Sequence, residues 1–87
     1  MLAEKTVSVG STIGLHARPA RVIAEAAQRF DDSVVLSFNG QSVLAESPLL
    51  IMSLGAEHGA EVTVASENDA AAETIAELLE QDLDAQD

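Results

Sequence analysis

The chain has 87 residues and no cysteine, which is enough for one small domain over residues 1–87 and leaves no disulfide framework or thiolate metal site. Four Lys and Arg are opposed by fifteen Asp and Glu, a formal net charge of −11, which argues against nucleic-acid binding because phosphate backbones need a basic face. No run has the length of a membrane span and the first residues do not resemble a signal peptide, so we expect a cytoplasmic protein that does not insert into membranes.

The first third of the chain predicts a strand, a loop and a helix. Residues 6–9 alternate polar and apolar side chains, as in a half-buried strand, and residues 10–14 form a loop. From Ala17 onward, apolar residues recur at helical spacing until Asp31-Asp32 ends the helix. The apolar positions of this helix are Pro19, Val22, Ile23, Ala26, Ala27 and Phe30.

The middle of the chain predicts a hairpin followed by a short helix. Residues 33–38 are rich in strand-forming side chains, and residues 41–45 return as the partner strand. Between them, Asn39-Gly40 suits a type I′ turn, which needs positive φ at two successive residues. Ser47-Pro48 then indicates a helix start, with a good N-cap and a proline at the first position, and Gly55 is placed to end this helix.

The last third of the chain predicts a fourth strand and a third helix. Residues 61–65 form the strand, and Asn68 or Asp69 caps the helix. Residues 84–87 are expected to form a frayed acidic tail. The element order is therefore β-α-β-β-α-β-α, which predicts a four-stranded antiparallel sheet with three helices over one face.

One stretch concentrates the chemistry of the chain: Gly14-Leu15-His16-Ala17-Arg18-Pro19-Ala20. A helix that begins here presents first-turn N–H groups and the positive end of its dipole, which accept a phosphate. Pro19 suits the first turn because its missing N–H costs no intrahelical bond, and Gly14 permits a close approach of the preceding strand. With the Arg18 cation, this stretch has the parts needed to hold a phosphorylated imidazole at His16, although a lone histidine is more often a residue without a chemical role.

The stretch over residues 14–20 closely resembles the active-site signature of HPr, the histidine-containing phosphocarrier of the bacterial sugar phosphotransferase system. Two further stretches resemble the same family at the family's spacing. Residues 47–55 resemble its regulatory-serine segment, and residues 59–64 resemble the strand that follows. The resemblance covers nearly the whole chain and implies an α+β open-faced sandwich with sheet order 1-4-2-3, an order that periodicity alone does not give.

The resemblance implies that His16 is phosphorylated on Nδ1. Enzyme I would donate a phosphoryl group taken from phosphoenolpyruvate, and the sugar-specific enzyme II A component would receive it. The backbone amides of Ala17 and Arg18, with the Arg18 guanidinium, would offset the phosphate charge. The chain would be a monomeric carrier rather than an enzyme, with no metal or cofactor of its own, since Mg²⁺ would belong to the partner that uses phosphoenolpyruvate.

Ser47 has two interpretations, an ordinary N-cap or a regulatory phosphorylation site. The resemblance implies an HPr kinase/phosphorylase and a catabolite regulator as partners for the second. A phosphoserine at a helix N-terminus is electrostatically favourable and adds negative charge. The sequence departs from regulated members at Glu46, where lysine is common, and at Pro48, where an aliphatic residue is usual, and these departures put kinase recognition in question.

The resemblance also implies an apolar patch that docks Enzyme I and the A components. Leu49 and Met52 would be exposed for docking, because too many apolar residues share the short helix for all of them to be buried. Leu50, Ile51 and Leu54 would lie in the core. The full set of expected docking residues is Ala17, Pro19, Ala20, Arg21, Leu49 and Met52.

Two residues near these motifs depart from the pattern or stand outside it. Ile13 occupies a position where many relatives have a small polar residue, which suggests weaker side-chain support for phosphohistidine. His58 lies in a turn and is expected to be a surface residue. Two histidines do not have the ligand count or spacing of a metal motif.

Other classes of protein remain open at this point. A related phosphorelay, serving a nitrogen-related branch or a dihydroxyacetone kinase system, would also keep His16, and a purely regulatory module would keep the fold. An acyl carrier protein would be small, acidic and cysteine-free, with its attachment site at Asp32-Ser33. That serine must open a helix, however, and here a strand pattern follows it.

Overall fold

The computed structural model describes residues 2–83, so the expected acidic tail over residues 84–87 lies outside the described residues. The element order is β-α-β-β-α-β-α, as the sequence pattern predicts. No helix within residues 2–83 is long and apolar enough to cross a bilayer. The elements are β1 (Ala3–Ser8), α1 (Ala17–Ala27), β2 (Val34–Phe38), β3 (Gln41–Leu44), α2 (Pro48–Ser53), β4 (Glu61–Ser66) and α3 (Asp69–Glu80).

All neighbouring strands of the sheet run antiparallel, in the order β1-β4-β2-β3. In this register Val7 of β1 lies opposite Val62, and Leu36 of β2 lies opposite Val64. Because side chains alternate along a strand, these residues share the face that the helices cover. The α+β open-faced sandwich and its sheet order are confirmed.

One apolar core fills the space between the sheet and the helices. The strands contribute alternate residues, and each helix contributes one face. Burying a side chain of this size stabilises the fold by about 1.5–3 kcal/mol, so this layer holds the helices on the sheet. The largest fully buried apolar side chains are Ile23, Leu36, Ile51, Ile75, Leu79, Val9, Val62, Val64 and Pro19.

The bounds of β1 and α1 differ from the predicted ones. β1 begins at Ala3, because Glu4 and Lys5 pair with β4 although their charged side chains are exposed. α1 ends at Ala27, well before Asp31-Asp32. Phe30 nevertheless continues the apolar pattern, since the turn after the helix brings it against the core. The earlier start of β1 thus follows from strand pairing, whereas α1 is followed by a tighter turn, in which the Arg29 and Phe30 N–H groups donate to the carbonyls three residues before them.

The β2–β3 hairpin has the predicted turn. Asn39 and Gly40 have φ values of 53° and 82°, the two positive values that a type I′ turn requires. Phe38 and Gln41 pair directly across it. Since β2 follows Ser33 as a strand, the structure rules out the helix that an acyl carrier protein would need at this point.

α2 and α3 begin at side-chain caps, as the sequence predicts. The Ser47 hydroxyl oxygen accepts a hydrogen bond from the Leu50 N–H at 3.3 Å, and Asn68 Oδ1 accepts one from the Ala71 N–H at 3.2 Å. Gly55, with φ of +69°, follows the end of α2. Such a cap stabilises a helix by about 1 kcal/mol, so local sequence determines where these helices start.

Candidate functional site

His16 is the N-cap residue of α1. Its backbone is extended, with φ −85° and ψ −166°, and the helix begins at the next residue, Ala17. Within residues 2–83 its side chain makes no capping hydrogen bond, and the residue is exposed. The imidazole is therefore open to solvent beside the positive end of the helix dipole.

The first turn of α1 supplies the backbone amides nearest to His16. The first-turn N–H groups of a helix have no intrahelical acceptor, and Pro19 contributes no N–H at all. The Ala20 N–H already donates to the His16 carbonyl at 2.9 Å. The backbone amides of Ala17 and Arg18 thus come before the first i→i−4 hydrogen bond of α1, which is the one from Ala20 to His16.

The loop before His16 is fastened to the segment that follows α2. The Gly14 N–H donates to the Ser11 carbonyl at 3.0 Å and closes a turn, and the Leu15 N–H donates to the Ala56 carbonyl at 3.0 Å. The Leu15 side chain is buried. His16 is therefore held between a buried residue on one side and a helix on the other, although its own side chain is exposed.

Gly14 meets two separate demands of this loop. Its φ is +78°, in a region that residues with a side chain rarely adopt. A Cβ on Gly14 would lie 2.7 Å from the Ala56 carbonyl oxygen and 2.9 Å from Glu57 Cα. The close approach predicted from the sequence is present, but its partner is the segment after α2 and not the preceding strand.

Two exposed arginines lie on α1 directly after His16. Arg18 and Arg21 are three residues apart, on one side of the helix, and together with Ala17 they line a surface depression of about 240 Å³. A guanidinium presents several N–H donors in a geometry that matches phosphate oxygens. On a chain whose formal net charge is −11, this depression is suited to an anion.

Ser47 lies at the start of α2, which packs against α1. Its oxygen accepts the capping hydrogen bond, and Pro48 occupies the first turn. The Gln28 side chain at the end of α1 donates from Nε2 to the Glu46 carbonyl at 2.9 Å, which links that end of α1 to the residue before Ser47. The structure thus confirms that Ser47 is the N-cap of α2. Phosphorylation of Ser47 by a kinase stays a prediction.

α2 exposes a different set of apolar side chains from the one that the sequence predicted. Leu49 is 76% exposed and Leu50 is 42% exposed, whereas Ile51 is 0% exposed and Leu54 is buried. The expectation that Leu50 lies in the core is wrong, because successive residues of a helix point about 100° apart and the inward direction is taken by Ile51. Met52 is part-buried and packs against the core, so it offers less surface than Leu49.

Two of the expected docking residues are buried. Pro19 and Ala20 lie in the core of the fold, because the helical spacing that places Arg18 and Arg21 outside turns these two side chains toward the sheet. This burial corrects the expected set, since neither side chain is available to a partner. Ala17, Arg21 and Leu49 are exposed, and their docking role stays a prediction.

His58 is exposed, as expected, but it makes a contact that the sequence did not reveal. Its Nδ1 lies 3.2 Å from the carbonyl oxygen of Ser11, the same oxygen that accepts the Gly14 N–H. The two residues are 47 positions apart. No local signal marks a hydrogen bond between two distant turns, because tertiary packing alone brings them together.

Other depressions and charged groups lie apart from this site. A depression of about 590 Å³ is lined by Lys5 and by glutamates of α3, and another of about 480 Å³ by residues that include Leu2 and Val35. Neither is lined by a residue of α1. Across residues 2–83, no three His, Asp or Glu side chains are grouped as metal ligands.

These features define a class of protein: a small α+β sandwich that presents a histidine at a helix N-terminus suited to a phosphate. A family model described as "PTS HPr component phosphorylation site" matches residues 3–81. The chain belongs to the HPr family of the phosphotransferase system.

Solved structures of this family are similar over most of the chain. HPr from Bacillus anthracis has a TM-score of 0.85 at 32% identity, with 90% of this chain and 96% of that chain covered. HPr from Thermoanaerobacter tengcongensis has a TM-score of 0.82 at 32% identity, with coverage of 90% and 91%. The catabolite repression protein Crh of Bacillus subtilis, described as a swapped dimer, has a TM-score of 0.71 at 36% identity, with coverage of 84% and 87%.

Membership of the family fixes the general activity. The chain is a phosphocarrier of the phosphotransferase system, and by family it is a carrier and not a catalytic enzyme. The family also implies interaction with enzymes of that system.

Proposed function

We propose that His16 accepts a phosphoryl group from Enzyme I, derived from phosphoenolpyruvate, and passes it to the A component of sugar permeases. The observation that supports this most directly is the exposed N-cap imidazole, which makes no capping hydrogen bond within residues 2–83. A neutral imidazole has one ring nitrogen with a free lone pair near neutral pH. The ring is therefore able to act as a nucleophile and to give the group up again.

The transfer exchanges one bond to phosphorus for another. Nδ1 of neutral His16 supplies its lone pair to phosphorus, while the bond between phosphorus and the donor breaks and its electron pair leaves with the donor. The reverse sequence delivers the group to the A component. Such transfers depend mostly on positioning and on stabilising the charge of the phosphoryl oxygens. The loop before His16 supports the positioning, because the hydrogen bonds of the Gly14 and Leu15 N–H groups fasten it.

The phosphoryl charge is stabilised by α1. The backbone amides of Ala17 and Arg18 and the Arg18 guanidinium lie next to His16 in the chain, and the first-turn amides and the helix dipole favour an anion here. Arg21 adds a second cation on the same side of the helix. The stabilisation must remain modest, because a carrier that held its phosphate tightly would not pass it on.

Docking of Enzyme I and of the A components uses the exposed face shared by α1 and α2. Ala17 and Arg21 contribute from α1, and Leu49 contributes the most exposed apolar surface of α2, beside part-buried Met52. Exposed apolar side chains next to charged ones are typical of interaction sites. In this proposal the chain works in the cytoplasm as a single-domain monomer without a metal or cofactor.

Phosphorylation by purified Enzyme I and phosphoenolpyruvate tests the proposal. We expect the intact mass to show one phosphoryl group on the wild-type chain, lost in acid, and none on His16→Ala. His58→Ala is the matched control, since it removes the other histidine and should still be labelled at the end point. An unmodified wild-type chain, or a labelled His16→Ala variant, would overturn the assignment.

The same assay separates the sugar branch from the alternatives. Transfer from the phosphorylated chain to a sugar-specific A component supports the proposal. Transfer only to a nitrogen-related A component, or only to a dihydroxyacetone kinase subunit, would place the chain in one of those relays. His16 is required in every case, so the comparison bears on partners and not on the carrier residue.

Regulation through Ser47 is a second candidate function, favoured by the similarity to Crh and by the position of the Ser47 hydroxyl at the N-terminus of α2. HPr kinase/phosphorylase with ATP, followed by intact mass, tests it, with Ser47→Ala as the control. A double variant, Glu46→Lys with Pro48→Ile, restores the residues usual in regulated members. Labelling of the double variant alone would show that these departures block the kinase, and failure of both chains would reject the regulation.

A further inference from the structure

We propose that His58 is a positioning residue for the loop that presents His16, and that it acts by donating a hydrogen bond from Nδ1 to the Ser11 carbonyl. The two atoms are 3.2 Å apart. A carbonyl oxygen only accepts hydrogen bonds, so Nδ1 must carry a proton. The contact therefore specifies a protonation pattern of the ring, either the Nδ1–H tautomer or the imidazolium.

Ser11 is the point at which three parts of the fold meet. Its carbonyl accepts the Gly14 N–H at 3.0 Å, which closes the turn before His16. Its hydroxyl oxygen accepts the Leu83 N–H at 3.3 Å, from the chain after α3. The residue is buried. The His58 ring thus makes its hydrogen bond to the same carbonyl that closes the turn before His16. The rest of Ser11 is held by its burial and by the bond from Leu83.

His58 is itself held in place by backbone bonds on both sides. Ala56, two residues before it, accepts the Leu15 N–H at 3.0 Å. Gly59, directly after it, donates to the Val9 carbonyl at 2.9 Å. Because the backbone around His58 is already attached to the loop, the ring loses little further freedom when it makes its bond, and the bond can reinforce the turn.

The turn affects the position of His16 because only a short stretch of chain connects them. Gly14 closes the turn, Leu15 is bonded to Ala56, and His16 follows immediately as the cap of α1. Small displacements of a reacting group reduce transfer rates strongly. This step rests on the proposed function, whereas the hydrogen bond and its effect on the turn do not.

Two substitutions of similar shape separate the hydrogen bond from simple packing. His58→Leu removes the donor, and His58→Asn keeps an N–H donor on the γ branch, near the place of Nδ1. Glu57→Gln is the matched control, an exposed neighbour in the same segment. Three quantities are measured: the ¹⁵N spectrum of the His58 ring in the wild type, hydrogen exchange of the Gly14 and Leu15 amides, and the rate of phosphorylation by Enzyme I.

We expect the ¹⁵N spectrum of the neutral His58 ring to place its proton on Nδ1. His58→Leu should accelerate exchange of the two amides and slow phosphorylation by about three- to tenfold, the effect of one hydrogen bond, and His58→Asn should restore most of both. A neutral ring protonated on Nε2, or equal behaviour of the Leu and Asn variants, would overturn the proposal. If the wild type is not phosphorylated at all, the proposed function fails, and the spectrum and the exchange rates still decide the role of His58.

Discussion

Gly14 determines the path of the backbone two residues before His16. Gly40 has nearly the same φ, 82° against 78°, but a Cβ on Gly40 would meet no atom of the described residues within 4 Å. Alanine at either position carries the cost of a left-handed backbone, about 1–2 kcal/mol. Only Gly14→Ala adds a collision with the backbone of Ala56 and Glu57.

We therefore expect Gly14→Ala to reduce the free energy of unfolding by about 3 kcal/mol, and Gly40→Ala by about 1 kcal/mol. Urea denaturation followed by circular dichroism measures both. Phosphorylation should be slower for Gly14→Ala and unchanged for Gly40→Ala, because only the first displaces the loop before His16. Equal losses of stability would mean that the loop moves away from Ala56 at no cost.

Arg18 lies in the first turn of α1, and Arg29, which carries the same charge, lies two residues beyond the end of α1 at Ala27. The part of the helix from Arg18 to Ala27 is roughly 14 Å long, at 1.5 Å per residue, so the two cations are far apart. Removing a charged hydrogen-bond donor from a phosphate costs about 1.5–3 kcal/mol, so we expect Arg18→Ala to slow phosphorylation by Enzyme I by about ten- to a hundredfold. Arg29→Ala should change the rate little. Equal slowing by the two variants would point to a general effect of charge on docking and not to contact with the phosphoryl group.

At the scale of elements, the apolar side chains of α2 divide into an exposed group and a buried group. Leu49 is 76% exposed and Ile51 is fully buried. We expect Leu49→Ala to leave the urea midpoint nearly unchanged and to weaken binding of Enzyme I by at least about tenfold, as at interface hot spots. Ile51→Ala should lower the free energy of unfolding by about 2–5 kcal/mol.

Titration calorimetry with Enzyme I, together with urea denaturation, measures both effects for this pair. If Leu49→Ala destabilises the fold as much as Ile51→Ala, the side chain is packed in solution. If it leaves binding unchanged, the docking surface lies elsewhere on the chain.

The elements that the sequence predicted correctly carry their own local signals. Asn39-Gly40 demands positive φ twice, and Ser47 with Pro48 and Gly55 marks both ends of α2. The expectation that Leu50 lies in the core with Ile51 and Leu54 fails, because a six-residue helix in which nearly every residue is apolar has too few turns to define its inward direction. The sequence therefore located α2 and its caps and the exposure of Leu49, but it placed Leu50 on the wrong side of the helix.

The part of the candidate site that consists of consecutive residues could be predicted from the sequence. His16, Ala17 and Arg18 are neighbours in the chain, so their proximity needs no tertiary information. The support of the site was not predictable, because the contact of Gly14 with Ala56 and the hydrogen bond of His58 to Ser11 join distant segments. Such contacts follow only from how β1, α2 and β4 are arranged.

At the scale of the whole molecule, charge is distributed very unevenly. The four basic residues all lie before residue 30, and the formal net charge is −11. The depression between β1 and α3 shows the imbalance locally, with Lys5 beside Glu73, Glu77 and Glu80. A compact chain of this charge repels itself, which lowers the stability of the folded state relative to an expanded one.

Salt should therefore stabilise the folded chain. Raising NaCl from about 0.01 M to about 0.1 M shortens the Debye length from about 30 Å to about 10 Å, which screens repulsion across a molecule with principal extents of 33 × 27 × 19 Å. We expect the urea midpoint to rise over this range. The triple variant Glu73→Gln, Glu77→Gln and Glu80→Gln should show a smaller rise, because it carries three fewer negative charges on one face. A midpoint that falls with salt would mean that attraction to Lys5 and to the arginines of α1 outweighs the repulsion, and the acidic surface would then be a source of stability.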